Sequence, residues 1–287
     1  MHSFQYRPTL LPVLLVWFAL LPGVVGANAF ERLFAPDADL WERWQQHDAS
    51  DRREIDHASW HEFVQTYVER GSDGMRRFAY ARVTDNDRAA LDGYISRLTA
   101  LVIGSYSQPE QFAYWVNLYN ALTVQVVLDH YPVGSIRDID ISPGLFADGP
   151  WKKKLVTVQG EPVSLDDIEH RILRPIWKDP RIHYAVNCAS VGCPDLQPLA
   201  FTAANTEQLL EQAARDYINH PRGVSVGDKG ATLSSIYNWF APDFEPAGGA
   251  LAHIRRYANA QLKAQLQGVG KIVDYQYDWS LNDAAIR

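Results

Sequence analysis

Two cysteines and a histidine share one short stretch, Arg181-Ile182-His183-Tyr184-Ala185-Val186-Asn187-Cys188-Ala189-Ser190-Val191-Gly192-Cys193-Pro194, and these are the only cysteines in the chain. A thiol beside an imidazole can serve as nucleophile and base, two thiols can close a disulfide, and Cys with His can ligate a metal. The apolar run Ile182 to Val186 predicts a strand that breaks into a small-residue loop closed by Pro194. Side chains alternate on a strand, so His183, Ala185 and Asn187 would face one way and Tyr184, Val186 and Cys188 the other. His183 and Cys188 would then stand roughly 16 Å apart, too far for a direct dyad. Two arrangements stay open: His183 meets Cys193, carried back by the turn, or Cys188 is the nucleophile and takes its base from another element, with His170 nearest in sequence.

The competing chemistries are weaker or plainer. A Cys188 to Cys193 disulfide starts ahead in an oxidising compartment, but it closes a small loop and stabilises by only about 2 kcal/mol. Its spacing is not that of thioredoxin-like redox pairs. His183, Cys188 and Cys193 offer at most three zinc ligands, so no metal is expected. No glycine-rich phosphate loop is present and no cofactor is expected. Ser190 lies in Ala-Ser-Val-Gly, outside the Gly-x-Ser-x-Gly frame of serine nucleophiles.

Other elements must bring the remaining polar groups. Pro109 to His130 has the strongest helical pattern, with Pro109 suited to the first turn and Pro132 closing the far end. Its residues are apolar nearly all round, the pattern of a buried helix. Asn117 and Asn120 on that helix must therefore find partners, either as a structural network or as amides lining a site. Ser164 is expected to cap a short helix with Asp166 and Asp167 in its first turn, followed by Glu169 and His170. His170 can pair there with Asp166 or Asp167.

Around these, Trp41, Trp44, Trp60, Phe63 and Tyr67 recur at helical spacing, which favours core packing over ligand binding. Asp87 to Ile103, Thr206 to Asn219 and Ala250 to Leu266 are further expected helices. Residues 155 to 165 and 224 to 233 read as hairpins, and Ile272 to Leu281 as a last strand. The expected fold is α+β, a buried central helix packed on a mostly antiparallel sheet with a helical N-terminal layer.

Composition bounds the function. With 287 residues and 47% hydrophobic content the chain can bury a sizeable core. An apolar run from Leu10 to Val25 followed by Gly26-Ala27 reads as a secretory signal peptide, residues 1 to 27, and is interrupted by prolines and too short for a spanning helix. Removing it takes one Arg and no acid from 27 basic and 34 acidic residues, leaving 26 against 34, or -8. That balance opposes nucleic acid as a partner. A periplasmic or secreted protein with no transmembrane anchor after cleavage follows, acting on a small molecule or peptide.

Three further blocks, Phe112-Ala113-Tyr114-Trp115-Val116-Asn117-Leu118-Tyr119-Asn120, Ser164-Leu165-Asp166-Asp167-Ile168-Glu169-His170 and Tyr277-Asp278-Trp279-Ser280-Leu281-Asn282, flank the Cys and His segment in order. Together they resemble the domain of unknown function 547 (DUF547) family, over about Phe112 to Asn282. The resemblance implies an exported bacterial protein with a DUF547-like core over 106 to 287; residues 28 to 105, which carry little of the likeness, are the helical layer expected from their periodicity, and the mature chain is taken as one compact domain. The resemblance also implies a site role for Cys188, since some plant relatives keep a cysteine matching it and have serine where Cys193 stands. The arrangement is also similar to papain and transglutaminase architecture, but there the nucleophile begins the central helix, and here that helix has no cysteine. The functional expectation is a thiol-dependent hydrolase or acyl transferase with Cys188 as nucleophile, His170 or His183 as base, Glu169 orienting it, and Asn117, Asn120 and Cys193 in binding or polar roles. The alternative is a non-catalytic binding or scaffold domain stiffened by a Cys188 to Cys193 disulfide.

Overall fold

A computed structural model describes residues 35 to 144 and 149 to 285. The signal peptide expected over residues 1 to 27 lies outside them. Helix α1 (Ala58–Tyr67), the hairpin of β1 (Val68–Arg70) and β2 (Arg76–Phe78) and helix α2 (Asp85–Thr99) form the N-terminal layer over the central helix α3 (Gln108–His130). Every residue of α3 from Glu110 to Val124 is buried. Pro109 sits in its first turn with Glu110, and at its far end Tyr131, the residue before Pro132, turns to extended backbone as its neighbour's ring requires.

After α3 come the hairpin β3 (Val156–Val158) and β4 (Glu161–Val163), a π-helical segment (Asp167–Leu173) running into α4 (Arg174–Trp177), and α5 (Ile182–Ala185). Next are α6 (Thr206–Ile218), β5 (Val224–Gly227), β6 (Gly230–Ser234), α7 (Ile236–Trp239), α8 (Ala241–Phe244), α9 (Ala250–Tyr257), α10 (Ala260–Leu266) and β7 (Ile272–Gln276). The fold is mixed α+β, as expected. Its sheets are small: β1–β2 and β3–β4 are antiparallel pairs, and β5–β6–β7 is antiparallel at its first pairing and parallel at its second. One core runs from Trp44 to Leu281 and takes in α3, and a smaller one gathers Tyr184 with α6, α9 and α10.

Two expectations need correction. Residues 182 to 185 form a turn of helix instead of a strand, with the Val186 N–H donating to the Ile182 carbonyl. Four residues are too few to show a decisive period, and what tips them is Asp179-Pro180: the Asp179 carboxylate accepts from the Arg181 N–H at 2.9 Å, and Pro180 supplies a preset φ. The expected single helix from 250 to 266 is two, because Asn259 takes an extended conformation and caps the second through the Leu262 N–H at 2.9 Å.

The chain's last segment stitches the layers together. Beyond β7, the Gly192 N–H donates to the Asp278 carbonyl and the Val191 N–H to Ser280, each at 2.8 Å. Asn282 then joins Ala189 and Phe78 through its backbone. No helix among the described residues is long and apolar enough to cross a membrane.

Candidate functional site

Two buried polar clusters lie along the 181 to 194 segment. The first surrounds Cys188, which is partly exposed, while Cys193 is buried; both are free thiols. Cys188 sits between Asn187 and Ala189, and Ala189 adopts a left-handed φ of 59°, which costs a residue with a Cβ about 1 kcal/mol or more. Buried amides hold this bend. Asn187 accepts from the Ala189 N–H at 2.9 Å and donates to the Pro194 carbonyl at 2.7 Å, and Asn282, itself bound by the Tyr80 hydroxyl, donates to Asn187.

The bend turns the Cys188 N–H to the Cys193 sulfur at 3.0 Å and sets the Cys188 sulfur 3.0 Å from the Tyr277 hydroxyl and 3.2 Å from Ser190 Oγ. Ser190 also donates to the Tyr277 oxygen at 2.9 Å. The Cys193 thiol pulls the Cys188 pKa down most; burial works the other way, and Ser190 and Tyr277 add to the lowering, so the net shift is downward. Burial, reinforced by the charge of Cys188, pushes Cys193 and Tyr277 well up. Cys188 is therefore the first of the three to lose its proton, and its two neighbours remain donors toward the sulfur.

The second cluster is built on the π-helical segment. Ser164 and Asp167 cap one another, Ser164 Oγ accepting from the Asp167 N–H at 3.2 Å and donating to the carboxylate at 2.7 Å. Adjacent Glu169 and His170 are both buried. His183 lies between two carboxylates, its Nε2 2.7 Å from Asp243 and its Nδ1 3.6 Å from Glu169, with the Phe240 ring stacked on it at 4.3 Å. Arg174 holds Asp243 through Nε at 2.6 Å and donates to His170 Nδ1 at 2.9 Å.

Burial pushes Glu169 up, but His170, His183 and Arg174 outweigh it and the carboxyl is held low; Asp243 is held low in the same way by His183 and Arg174. Burial, helped by the Arg174 charge, lowers His170 to about 4. Burial and then the Glu169 charge raise Asp166, 3.8 Å from His170, to about 6. The Tyr119 hydroxyl bonds Glu169 from α3, and Glu169 opposes the Cys188 thiolate through space, so the clusters feel one another's charge.

Asn117 and Asn120 are both spent on backbone. Asn117 donates to the Phe201 carbonyl at 2.8 Å and accepts from its N–H at 3.0 Å. Asn120 donates to the Ala185 carbonyl at 2.9 Å and accepts from the Asn187 N–H at 2.8 Å, gripping the chain just before Cys188. Thus Cys188 and Cys193 come together, as do Glu169 and His183, whereas the hydrogen bonds of the Cys188 sulfur go to hydroxyls and a thiol and those of both imidazoles go elsewhere. Among the described residues no group of three or more His, Cys, Asp or Glu is arranged to hold a metal ion.

Residues 103 to 218 match the family described as protein of unknown function, DUF547. No curated protein and no solved structure matches the chain. The DUF547 match covers both cysteines, Asn117, Asn120, Glu169, His170 and His183, while Asp243 and Tyr277, which complete the two clusters, lie beyond its end. Sequence reasoning missed Asp243, Arg174 and Tyr277 as site residues. The available signals were slight: Pro242 before Asp243 marks a helix start, and Arg174 stands four after His170.

Proposed function

We propose that the protein is an exported thiol-dependent hydrolase or acyl transferase with Cys188 as its nucleophile. One observation carries the reading: a partly exposed thiol receives a tyrosine hydroxyl, a serine and a second thiol, and its pKa is lowered as a nucleophile's should be. The Cys188 thiolate would add to an acyl carbonyl, forming a C–S bond as the bond to the leaving group breaks, and the leaving group would take a proton from the Tyr277 and Ser190 pair. Water or a second acceptor then attacks the thioester carbonyl, returns a proton to the Tyr277 and Ser190 pair, and takes the acyl group as the C–S bond breaks and the thiolate is restored. In this reading Glu169, His170 and His183 set the field and hold α5, which ends three residues before the thiol. Export rests on the signal peptide expected from the apolar run between Leu10 and Val25.

The alkylation rate of Cys188 by iodoacetamide, followed against pH by mass spectrometry, tests it. A midpoint below the ordinary thiol value of about 8.5 is expected. A midpoint at or above that value, together with Cys188→Ala leaving every activity found for the protein unchanged, would sink the proposal.

A second reading, a non-catalytic binding or scaffold domain stiffened by a Cys188 to Cys193 disulfide, is favoured by the spending of Asn117, Asn120 and the histidines on internal bonds. It requires that protein taken from its native compartment titrate no free thiol.

A further inference from the structure

Tyr277 belongs to two places at once. Its hydroxyl meets Cys188, while its ring lines a surface cleft of about 610 Å³, within the range of about 300 to 1,000 Å³ usual for small-ligand sites. Trp239 and Trp279 line the same cleft, with Thr232, Ser235 and Gln276 around them. The two tryptophan rings stack at 5.7 Å with 26° between their planes, and Tyr277 leans on both, at 4.8 and 4.7 Å with tilts of 52° and 53°.

All three rings are half-buried, although each is a side chain that gains most from full burial. Such a group on a concave, partly polar surface marks a ligand site. Its geometry narrows the ligand. An aromatic cage for a quaternary ammonium must hold its rings apart to admit the cation, and rings already in mutual contact leave no such space. A flat aromatic ligand can cover one ring but cannot follow a wall that tilts by about half a right angle from one ring to the next. Linked puckered rings can. Their C–H faces suit the electron-rich ring faces, and their hydroxyls suit the hydroxyl and amide side chains at the edge.

We infer that this cleft binds a saccharide, its sugar rings laid on the Trp239, Tyr277 and Trp279 wall and its hydroxyls bonded to Thr232 and to the amide oxygen of Gln276, whose nitrogen is held by Asp274 at 3.0 Å. The binding stands on the cleft alone; that it delivers a sugar-bearing substrate to Cys188 rests on the thiol reading above. Neutral and acidic sugars share this chemistry, and the cleft is lined by charges of both signs, Arg137, whose guanidinium lies 5.3 Å over the Trp279 ring, and Asp278.

Titration calorimetry and tryptophan fluorescence of the protein with N-acetylglucosamine oligomers, with oligogalacturonate and with adenosine as a planar aromatic test this. At least one saccharide should bind and change the fluorescence. Trp239→Ala should weaken that binding about tenfold, the loss of one stacking face. If that variant fails to fold, Trp239→Phe and Gln276→Ala should each weaken it severalfold. Cys188→Ala should keep the affinity within about twofold while losing alkylation, so failure of the cleft and failure of the thiol are separable. Absence of binding by both saccharides, binding of adenosine alone, or native affinity in both Trp239→Phe and Gln276→Ala overturns the inference.

Discussion

Cys188 and Cys193 are the same residue type five positions apart, and their surroundings drive their pKa values in opposite directions. Cys193 is buried and receives the Cys188 N–H, and burial, reinforced by the Cys188 side chain and its charge, dominates. Cys188 faces hydroxyls that can donate to a thiolate. Removing one donor should therefore raise the Cys188 pKa. Tyr277→Phe is expected to slow its alkylation at neutral pH by roughly three- to tenfold, about half to one pKa unit, with the rate recovered at high pH where the thiolate forms anyway. An unchanged pH profile would mean that the Tyr277 bond at 3.0 Å contributes nothing to the thiol's acidity.

Elements position that thiol through few contacts, each costly to lose. The central helix grips residues 185 to 187 with one side chain. Asn120→Ala leaves the Ala185 carbonyl and the Asn187 N–H buried and unpaired, and should cost about 2 to 4 kcal/mol in chemical denaturation. Asn117→Ala should cost a similar amount at Phe201 while leaving Cys188 alkylation nearly unchanged, because its grip lies after the loop. From the other side the C-terminal segment presses directly on the cysteine loop: a Cβ on Gly192 would stand 2.8 Å from the Asp278 nitrogen and 2.9 Å from the Tyr277 ring. Gly192→Ala is therefore expected to destabilise by about 1 to 3 kcal/mol and to slow alkylation as Tyr277→Phe does. Native stability in that variant would show that the two segments can part without cost.

Across the molecule, burial lowers three histidines, His57, His170 and His253, each to about 4. Unfolded histidines take protons near pH 6.5, so between pH 4 and 6.5 the unfolded chain holds more protons at these positions and stability rises with pH. Asp166, raised to about 6, runs the other way over nearly the same range, since the folded chain keeps a proton there that the unfolded chain releases. These three against one leave about two protons taken up on unfolding near pH 5, a slope on the order of 2 to 3 kcal/mol per pH unit, and His220, also lowered by burial, acts in the same direction. Calorimetric melting temperatures should climb from pH 4.5 to 6.5 and level off above pH 7. A flat profile would mean that these imidazoles reach water in the folded protein.

The sequence by itself determined the local elements with a strong period or punctuation. The all-round apolar pattern between Pro109 and Pro132 defined a buried helix, and turn residues defined two hairpins, because helical period and turn chemistry are properties of neighbours along the chain. It also determined which segment carries the thiols, since composition alone singles that segment out. It could not determine what the segment's side chains meet. The four residues 182 to 185, Ile-His-Tyr-Ala, fit either a strand or a helical turn, and that choice decides that His183 enters the Asp243 and Glu169 cluster. Only the tertiary structure brought Asp243 and Tyr277, 60 and 89 residues away from their partners, to His183 and Cys188. Contacts across such separations depend on how helices and a threaded C-terminal segment pack, and nothing in the neighbourhood of Asp243 or Tyr277 along the chain says which partner it meets.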